Sequence, residues 1–231
     1  MNSFLKCTLL AGSFLTFNPL VFAQPSVSAP EAALEIRVRT YNHAQVPDKL
    51  LADAKRHATY AFQRIGVNLS WMDCPLREED IEHYSDCHRP WESTDLFIKI
   101  ISSSKGFVVP SNAFGLAVLP EDGEDRVRAY VFYDPVLKLS TDYRVGASLV
   151  LGHVAAHEIG HLLLGSNGHS PFGIMTASWQ GTELKKAAQG GMLFNRMQAE
   201  RIRTEVQARQ SRSTANAWIK AQRELGVKKP E

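Results

Sequence analysis

The sequence predicts an α+β domain built around a mixed, twisted sheet of about five strands. Several short segments alternate apolar and polar residues, as half-buried strands do, and two longer segments repeat apolar residues every three or four positions, as helices do. The predicted strands follow one another without a regular helix between them, which argues against a repeated βαβ architecture. Together these patterns indicate a sheet with a few helices packed against it.

Composition agrees with a single globular domain that carries a tail. The chain has 231 residues, of which 44% are hydrophobic and 22% charged, values close to the averages of globular proteins. They exclude a disordered chain and a membrane channel. Lys and Arg number 26 against 24 for Asp and Glu, a balance too even to indicate a nucleic-acid partner. We expect a monomer.

The first residues have the pattern of an export signal. Lys6 precedes an apolar stretch from Cys7 to Phe22, and small residues around Ala23 fit a signal-peptidase site. The stretch is too short and too broken for a transmembrane helix. We therefore predict a signal peptide over 1–23 with cleavage after Ala23, a secreted or periplasmic protein, and no stable membrane anchor. A short leader, 24–33, follows without a pattern.

The domain itself is predicted over 34–210. Alternation places strands at Leu34–Tyr41, Val67–Met72, Asp95–Ser102, Ala113–Leu119 (closed by Pro120) and Ala129–Phe132. Between the first two strands, Asp48 caps a helix that stops at Gly66. A long, largely buried helix follows Tyr143 and stops at Gly165.

The last predicted helix begins at Asn195. Asn195 is its N-cap, and Gln198, three residues on, completes a capping box. Ile202 and Val206 lie on one face of this helix. Beyond about Gln210 we predict no regular element, so 211–231 is taken as a basic C-terminal tail.

Export also determines how the cysteines are interpreted. Cys7 lies within the predicted signal peptide, so the mature chain keeps Cys74 and Cys87, which lie on either side of a polar stretch. In an oxidising compartment we expect these two cysteines to form a disulfide. The alternative is a metal site that combines both cysteines with His83 and His88. Its spacing is not of the C-x-x-C type, so the disulfide is favoured.

The long helix contains the pattern H-E-x-x-H, formed by His157, Glu158 and His161. Residues four apart lie on the same face of a helix, so both imidazoles can reach one ion. Neutral imidazole suits zinc, and a catalytic zinc site combines three protein ligands with one open position. Glu158 lies beside the two histidines, where a carboxylate can act as general base. The motif predicts one catalytic zinc ion.

The segment from Val154 to Ser170 resembles the zinc helix of the metzincin peptidases, most closely the matrixins. The resemblance implies a metzincin-like zincin fold with an active-site helix, a Met-turn and a C-terminal helix. It also implies that His169 is the third zinc ligand, that Met175 forms the Met-turn beneath the site, and that a peptide or protein substrate lies along the edge strand Gly115–Leu119. On this basis we expect an exported zinc-dependent endopeptidase.

The zinc-binding loop departs from the family pattern. One residue is added before the glycine and one after it, so His169 lies eight positions beyond His161 instead of six. Asn167 and Gly168 tolerate left-handed conformations, which allow a wider loop to return. His153 is the competing ligand. However, three histidines at four-residue steps along a straight helix cannot surround one ion tetrahedrally, so we interpret His153 as a core or supporting residue.

Other interpretations of the motif stay open at this point. A zinc hydrolase of a non-protein amide or ester uses the same chemistry, and a non-catalytic, zinc-stabilised secreted binding module needs only the ligands. Glu183 is the nearest candidate for a carboxylate ligand, although no second helix motif contains it. The loop from Ser178 to Gly191 borders the predicted pocket, with Trp179 either as a wall or as an ordinary core aromatic.

Overall fold

A computed structural model describes residues 33–77, 84–119 and 127–224. They form a five-stranded mixed sheet and six helices, a combination that confirms the predicted sheet. The strands are β1 (Leu34–Asn42), β2 (Val67–Asp73), β3 (Asp95–Ile101), β4 (Gly115–Val118) and β5 (Arg128–Phe132), and the helices are α1 (Asp48–Gln63), α2 (Ser85–His88), α3 (Tyr133–Tyr143), α4 (Ala147–Leu164), α5 (Gly181–Ala188) and α6 (Arg196–Glu224). The predicted signal peptide, most of the leader, His83 and Pro120 lie outside the described residues.

The sheet places β4 at one edge. The strand order is β2-β1-β3-β5-β4, with β4 antiparallel to β5 and all other neighbours parallel. Along β1, Ile36 and Val38 are fully buried while Glu35 is exposed, which is the alternation that predicted the strand. Among the described strands β4 pairs with β5 alone, so its other side faces away from the sheet.

Helix α4 is the centre of the core. Its residues from Val150 to Leu164 are all buried, because helices α1, α3 and α6 and strands β4 and β5 pack around it. A Cβ at Gly152 would overlap the carbonyl oxygen of Ala54 on α1, so this glycine allows the two helices to approach closely. By length and composition α4 could cross a membrane, but 83% of it is buried inside the domain, as in the core helix of a soluble protein.

The two predicted helix starts have different outcomes. At α6 the capping box is confirmed: Asn195 Oδ1 accepts from the Gln198 main-chain N–H at 3.0 Å, and Gln198 Oε1 accepts from the Asn195 N–H at 3.0 Å. At α1 the prediction is wrong. Pro47 occupies the cap position, and Asp48 lies in the first turn without a capping hydrogen bond, where its charge complements the helix dipole.

The sequence analysis did not predict three of the helices or the second half of a fourth. The short helix α2 and helices α3 and α5 contain too few apolar positions to give a clear period; in α3 only Tyr133, Val136 and Leu139 are buried. Helix α6 continues to Glu224 instead of losing regular structure near Gln210. Past residue 209 it is mostly exposed, so no apolar period marks this part. Pairs such as Lys220 and Glu224, four residues apart, support such an exposed helix.

The predicted disulfide between Cys74 and Cys87 is confirmed. It excludes both cysteines as thiolate ligands of a metal. Arg39 also binds the segment that contains Cys87, because its guanidinium donates to the main-chain oxygens of Cys87 and Arg89, each at 3.0 Å. The buried carboxylate of Asp95 accepts from Arg39 at 2.9 Å and balances its charge. The disulfide and Arg39 therefore tie one segment to the sheet by two independent contacts.

Replacing both cysteines by serine should lower the free energy of unfolding. The disulfide closes a loop with a sequence separation of 13, for which the chain-entropy model gives about 3 kcal/mol. Urea unfolding of the parent and of the Cys74→Ser/Cys87→Ser variant measures the difference. The intact unreduced parent should weigh two hydrogens less than the reduced protein. Equal midpoints for parent and variant would show that Arg39 alone fixes the segment.

Candidate metal centre

Two imidazoles converge on the buried face of α4. His157 and His161, one helical turn apart, place their Nε2 atoms 3.0 Å from each other. Both residues are buried, and their rings meet edge to face with centroids 4.6 Å apart. The helix thus brings together the two residues that the motif predicted, with both Nε2 atoms directed at the same point.

Main-chain carbonyls fix the tautomer of both histidines. His157 Nδ1 lies 2.7 Å from the carbonyl oxygen of Ile174, and His161 Nδ1 lies 2.7 Å from that of Ser166. A carbonyl oxygen can only accept, so each Nδ1 carries the proton and each Nε2 presents its lone pair. Burial lowers the pKa of His157 to about 3 and also lowers the pKa of His161. Both rings are therefore neutral near pH 7, as metal ligation requires.

The lengthened loop returns to the helix. Gly165 ends α4 in a left-handed conformation, with φ 60° and ψ 34°, and the Gly168 N–H donates to Ser166 Oγ at 3.0 Å. This second bend brings the exposed ring of His169 to 5.3 Å from His157 and 4.9 Å from His161, measured between centroids. The structure therefore brings His169 to the helical pair in spite of the two added residues.

The three histidines form a donor set that fits zinc. One ligand nitrogen from each residue lies within 4.8 Å of the other two. Two nitrogens come from the helix and one from the loop, so the three approach from different directions, as a tetrahedral ion requires. All three donors are imidazoles, and the far nitrogens of His157 and His161 are held by main-chain oxygens, an arrangement typical of metal-binding histidines.

Met175 lies beneath the histidine cluster. It is fully buried, and a Cβ at Gly160 would lie only 2.6 Å from its sulfur, so the glycine between the two helical histidines makes room for the thioether. The Ser170 N–H donates to the Met175 carbonyl oxygen at 2.8 Å and closes the turn. Met175 therefore packs against α4 at Gly160, and its role as a Met-turn stays a prediction.

Glu158 lies between α4 and the edge strand. The residue is 5% exposed, and this burial raises the pKa of its carboxyl group to about 8, whereas a hydrogen bond from the Ala117 main chain acts to lower it. A divalent cation at the histidine cluster would add positive charge nearby and would therefore lower the pKa of Glu158 from this raised value. The carboxylate is therefore poised to exchange a proton near neutral pH once a cation is bound.

The remaining candidates lie outside the cluster. His153 Nδ1 is bonded to the Leu149 carbonyl oxygen at 2.9 Å, and its ring packs against Trp179. Glu183 accepts a hydrogen bond from the Gln180 N–H at the start of α5, so this carboxylate stabilises a helix end. Trp179 is both a core aromatic and a wall of the pocket, because it is only 7% exposed and also lines the cavity described next.

An open cavity of about 460 Å³ adjoins the histidine cluster. It extends between β4, with the segment that precedes it, and the residues that follow Met175. The lining residues that matter below are Phe114, Gly115, Ala117, Glu158, His169 and Trp179. A cavity of this size is ample for several residues of an extended chain.

Sequence reasoning missed the contribution of Gly115 and Ala117 to this site. They were predicted as substrate-binding strand, whereas the structure places both against Glu158. A signal was available at Gly115, because a glycine inside a strand often marks a close approach by another group. The hydrogen bond from Ala117 involves the main chain, which no sequence pattern reveals.

Two solved structures resemble the fold weakly. The archaemetzincin of Methanopyrus kandleri has a TM-score of 0.48 and 17% identity, and the similarity covers 78% of this chain and 99% of that one. A zinc-dependent peptidase of Methanocorpusculum labreanum has a TM-score of 0.45 and 16% identity, over 71% and 99%. No protein-family model and no curated protein matches the sequence. At such values we base no argument on these similarities, and the matrixin resemblance stays a prediction.

Replacing His169 by alanine should lower zinc affinity, whereas replacing His153 by alanine should lower stability. His169→Ala removes the donor that arrives from the loop, so zinc affinity should fall at least about tenfold, with little change in folding. His153→Ala should leave zinc affinity unchanged and lower stability, because it removes a buried ring and a hydrogen bond. Competition with a chelating dye measures the affinity. Zinc binding by His169→Ala as tight as that of the parent would exclude His169 as a ligand.

The stability of metal-free protein should depend on pH through Glu158. The pKa of Glu158 in the folded protein, about 8, lies above the usual value. The contribution of the protonated carboxyl to the free energy of unfolding is therefore fully present below about pH 4.5 and is lost as pH rises through 8. Gln cannot ionise. Chelator-treated Glu158→Gln should therefore gain stability relative to the parent between pH 5 and pH 8, by about 1 kcal/mol or more. Urea unfolding at both pH values tests this, and a difference that does not change with pH would contradict it.

Proposed function

We propose that the protein is a zinc-dependent endopeptidase in which Glu158 is the general base. The observation that carries the proposal is the convergence of three histidine nitrogens within 4.8 Å, beside a buried carboxylate, at the wall of an open cavity that an edge strand borders. A cluster that served stability alone would need neither the carboxylate nor the cavity.

His157, His161 and His169 would hold the ion. Bound in this way, zinc acts as a Lewis acid that polarises the scissile carbonyl and makes water a stronger nucleophile at neutral pH. Glu158 accepts a proton from the attacking water and then donates it to the amine that leaves. The carbonyl oxygens of Ile174 and Ser166 keep the first two rings oriented.

The free edge of β4 supports an extended peptide as substrate. The Phe114 carbonyl oxygen accepts from the Phe132 N–H at 2.8 Å, so Phe114 directs its main-chain groups at β5. Main-chain groups in an antiparallel ladder alternate in direction. Gly115 and Ala117 therefore direct theirs away from β5, at the cavity. The Ala117 N–H already donates to Glu158, so a substrate strand would pair with the main chain of Gly115 and the carbonyl oxygen of Ala117. It would then lie across the histidine cluster.

The cavity wall favours cleavage inside a chain over removal of a terminal residue. Apart from the histidines and Glu158, its described lining residues are apolar or uncharged, among them Val109, Leu116 and Trp179. Exopeptidase sites hold the charged terminus of a substrate with an opposite charge, because an ion moved into such a cavity without a partner is costly. An internal, uncharged peptide segment fits this lining better.

We also propose export to an oxidising compartment. The N-terminal 23 residues have the pattern of a signal peptide. The disulfide between Cys74 and Cys87 supports the same location, because such bonds persist outside the reducing cytosol.

Glu158→Gln should abolish hydrolysis and leave metal binding intact. The glutamine keeps the size of the side chain but cannot move a proton, and it is not a ligand, so we expect a rate at least about a thousandfold lower with an unchanged zinc content. Unstructured casein and a fluorogenic peptide are suitable substrates, with zinc measured by mass spectrometry in the same samples.

A second substrate set separates the peptidase from its rivals. Hydrolysis of small non-peptide amides or esters by the parent, without cleavage of casein, would support the alternative zinc hydrolase. Stoichiometric zinc with no hydrolysis of any of these substrates would support a non-catalytic module. Full activity of Glu158→Gln would overturn the proposed mechanism.

A further inference from the structure

The carboxylate of Glu158 occupies the space that a side chain at position 115 would need. A Cβ placed on Gly115 would lie 2.5 Å from Glu158 Oε1, 2.6 Å from Cδ and 2.7 Å from Cγ. Contacts this short do not occur between a Cβ atom and a non-bonded neighbour. Any residue other than glycine at this position would therefore displace the glutamate side chain.

The main chain does not itself require glycine here. Gly115 lies within β4, paired with Val131, and it is not among the residues with a positive φ. In contrast, Gly165 and Gly173 have φ values of 60° and 82°, which explains glycine there. A glycine inside a strand weakens the strand, since it packs no side chain. The nearest atoms to a side chain at position 115 belong to Glu158, so among the described residues this contact accounts for the glycine.

Ala117 supplies a second contact two residues further along β4. Its main-chain N–H donates to the Glu158 carboxylate, on the side of the strand that faces away from β5. The carboxylate is thus confined by a missing side chain and by a directed donor on the same strand. A side chain with three rotatable bonds needs such restraints to stay in one geometry, and small displacements of a catalytic group reduce rates strongly.

We propose that Gly115 is a positioning residue for the general base: its missing side chain creates the niche that holds the Glu158 carboxylate beside the histidine cluster. The inference rests on the proposed function, in which Glu158 moves the proton. A methyl group at position 115 would point at α4, not along the free edge of β4. Substrate pairing with the strand would therefore survive while the base moved.

Gly115→Ala tests the proposal through the split between kcat and KM. We expect kcat to fall at least about tenfold, with KM within about twofold and zinc content unchanged, because only the base is displaced. Gly191→Ala is the control. Gly191 is not among the glycines with positive φ and does not line the cavity, and its added Cβ would meet nothing closer than the Lys186 carbonyl oxygen at 3.6 Å. Its kcat should equal that of the parent. A parent-like kcat in Gly115→Ala would overturn the proposal.

A double-mutant cycle on metal-free protein provides a readout that does not depend on activity. Gly115→Ala should lower the urea midpoint of the parent, but should leave it unchanged or raise it in the Glu158→Ala background, where the niche is empty. Equal shifts in both backgrounds would overturn the proposal. If Gly115→Ala alone does not fold, the double variant must fold. A parent without peptidase activity would refute the proposed function, and this cycle would still decide the contact between Gly115 and Glu158.

Discussion

The structure depends on one constraint: helix α4 is buried along most of its length and yet carries three histidines and a glutamate. A buried polar group without a partner costs several times more than a hydrogen bond contributes. Each of these side chains has therefore found a main-chain partner: the carbonyl oxygens of Leu149, Ile174 and Ser166 for the histidines, and the Ala117 main chain for Glu158. Three of these four partners come from segments that surround the helix.

This requirement connects the fold to the site. The loop after α4 must pass close enough for Ser166 and Ile174 to accept, and the same path returns His169 to the helix. Met175 supports that path from below through the space left at Gly160. On the other side, β4 must approach α4 closely enough to hold Glu158. Because β4 lies at the sheet edge, the Gly115 main chain and the Ala117 carbonyl oxygen are directed away from β5, where we propose that a substrate pairs. The partners that stabilise the buried helix are thus also the walls of the cavity.

The sequence analysis succeeded where one pattern dominates a segment. Alternation located the five strands to within a few residues, the apolar surface located α4, and the Asn195–Gln198 spacing located the start of α6. Helices α3 and α5 were missed because few of their residues are buried, and the second half of α6 because it packs against little. These elements depend on helix propensity and on charge pairs, which leave a weaker signal than burial.

The candidate site was predictable only in part. Local spacing on one helix identified His157, Glu158 and His161, whereas His169 followed from a family resemblance, since the path of a loop is not encoded in a simple period. The contact between Gly115 and Glu158 joins residues far apart in sequence, and it becomes visible only when the sheet edge and the helix are seen together. Residues 1–23 carry the export prediction, and they lie outside the described residues.

X-ray absorption at the zinc K edge of the zinc-loaded protein tests the central claim most directly. The account predicts a four-coordinate ion with three imidazole nitrogens at about 2.0–2.1 Å, one light-atom ligand in the open position, and no sulfur. A spectrum with only two imidazoles, or with sulfur at about 2.3 Å, would contradict the assignment of His157, His161 and His169 as the zinc ligands.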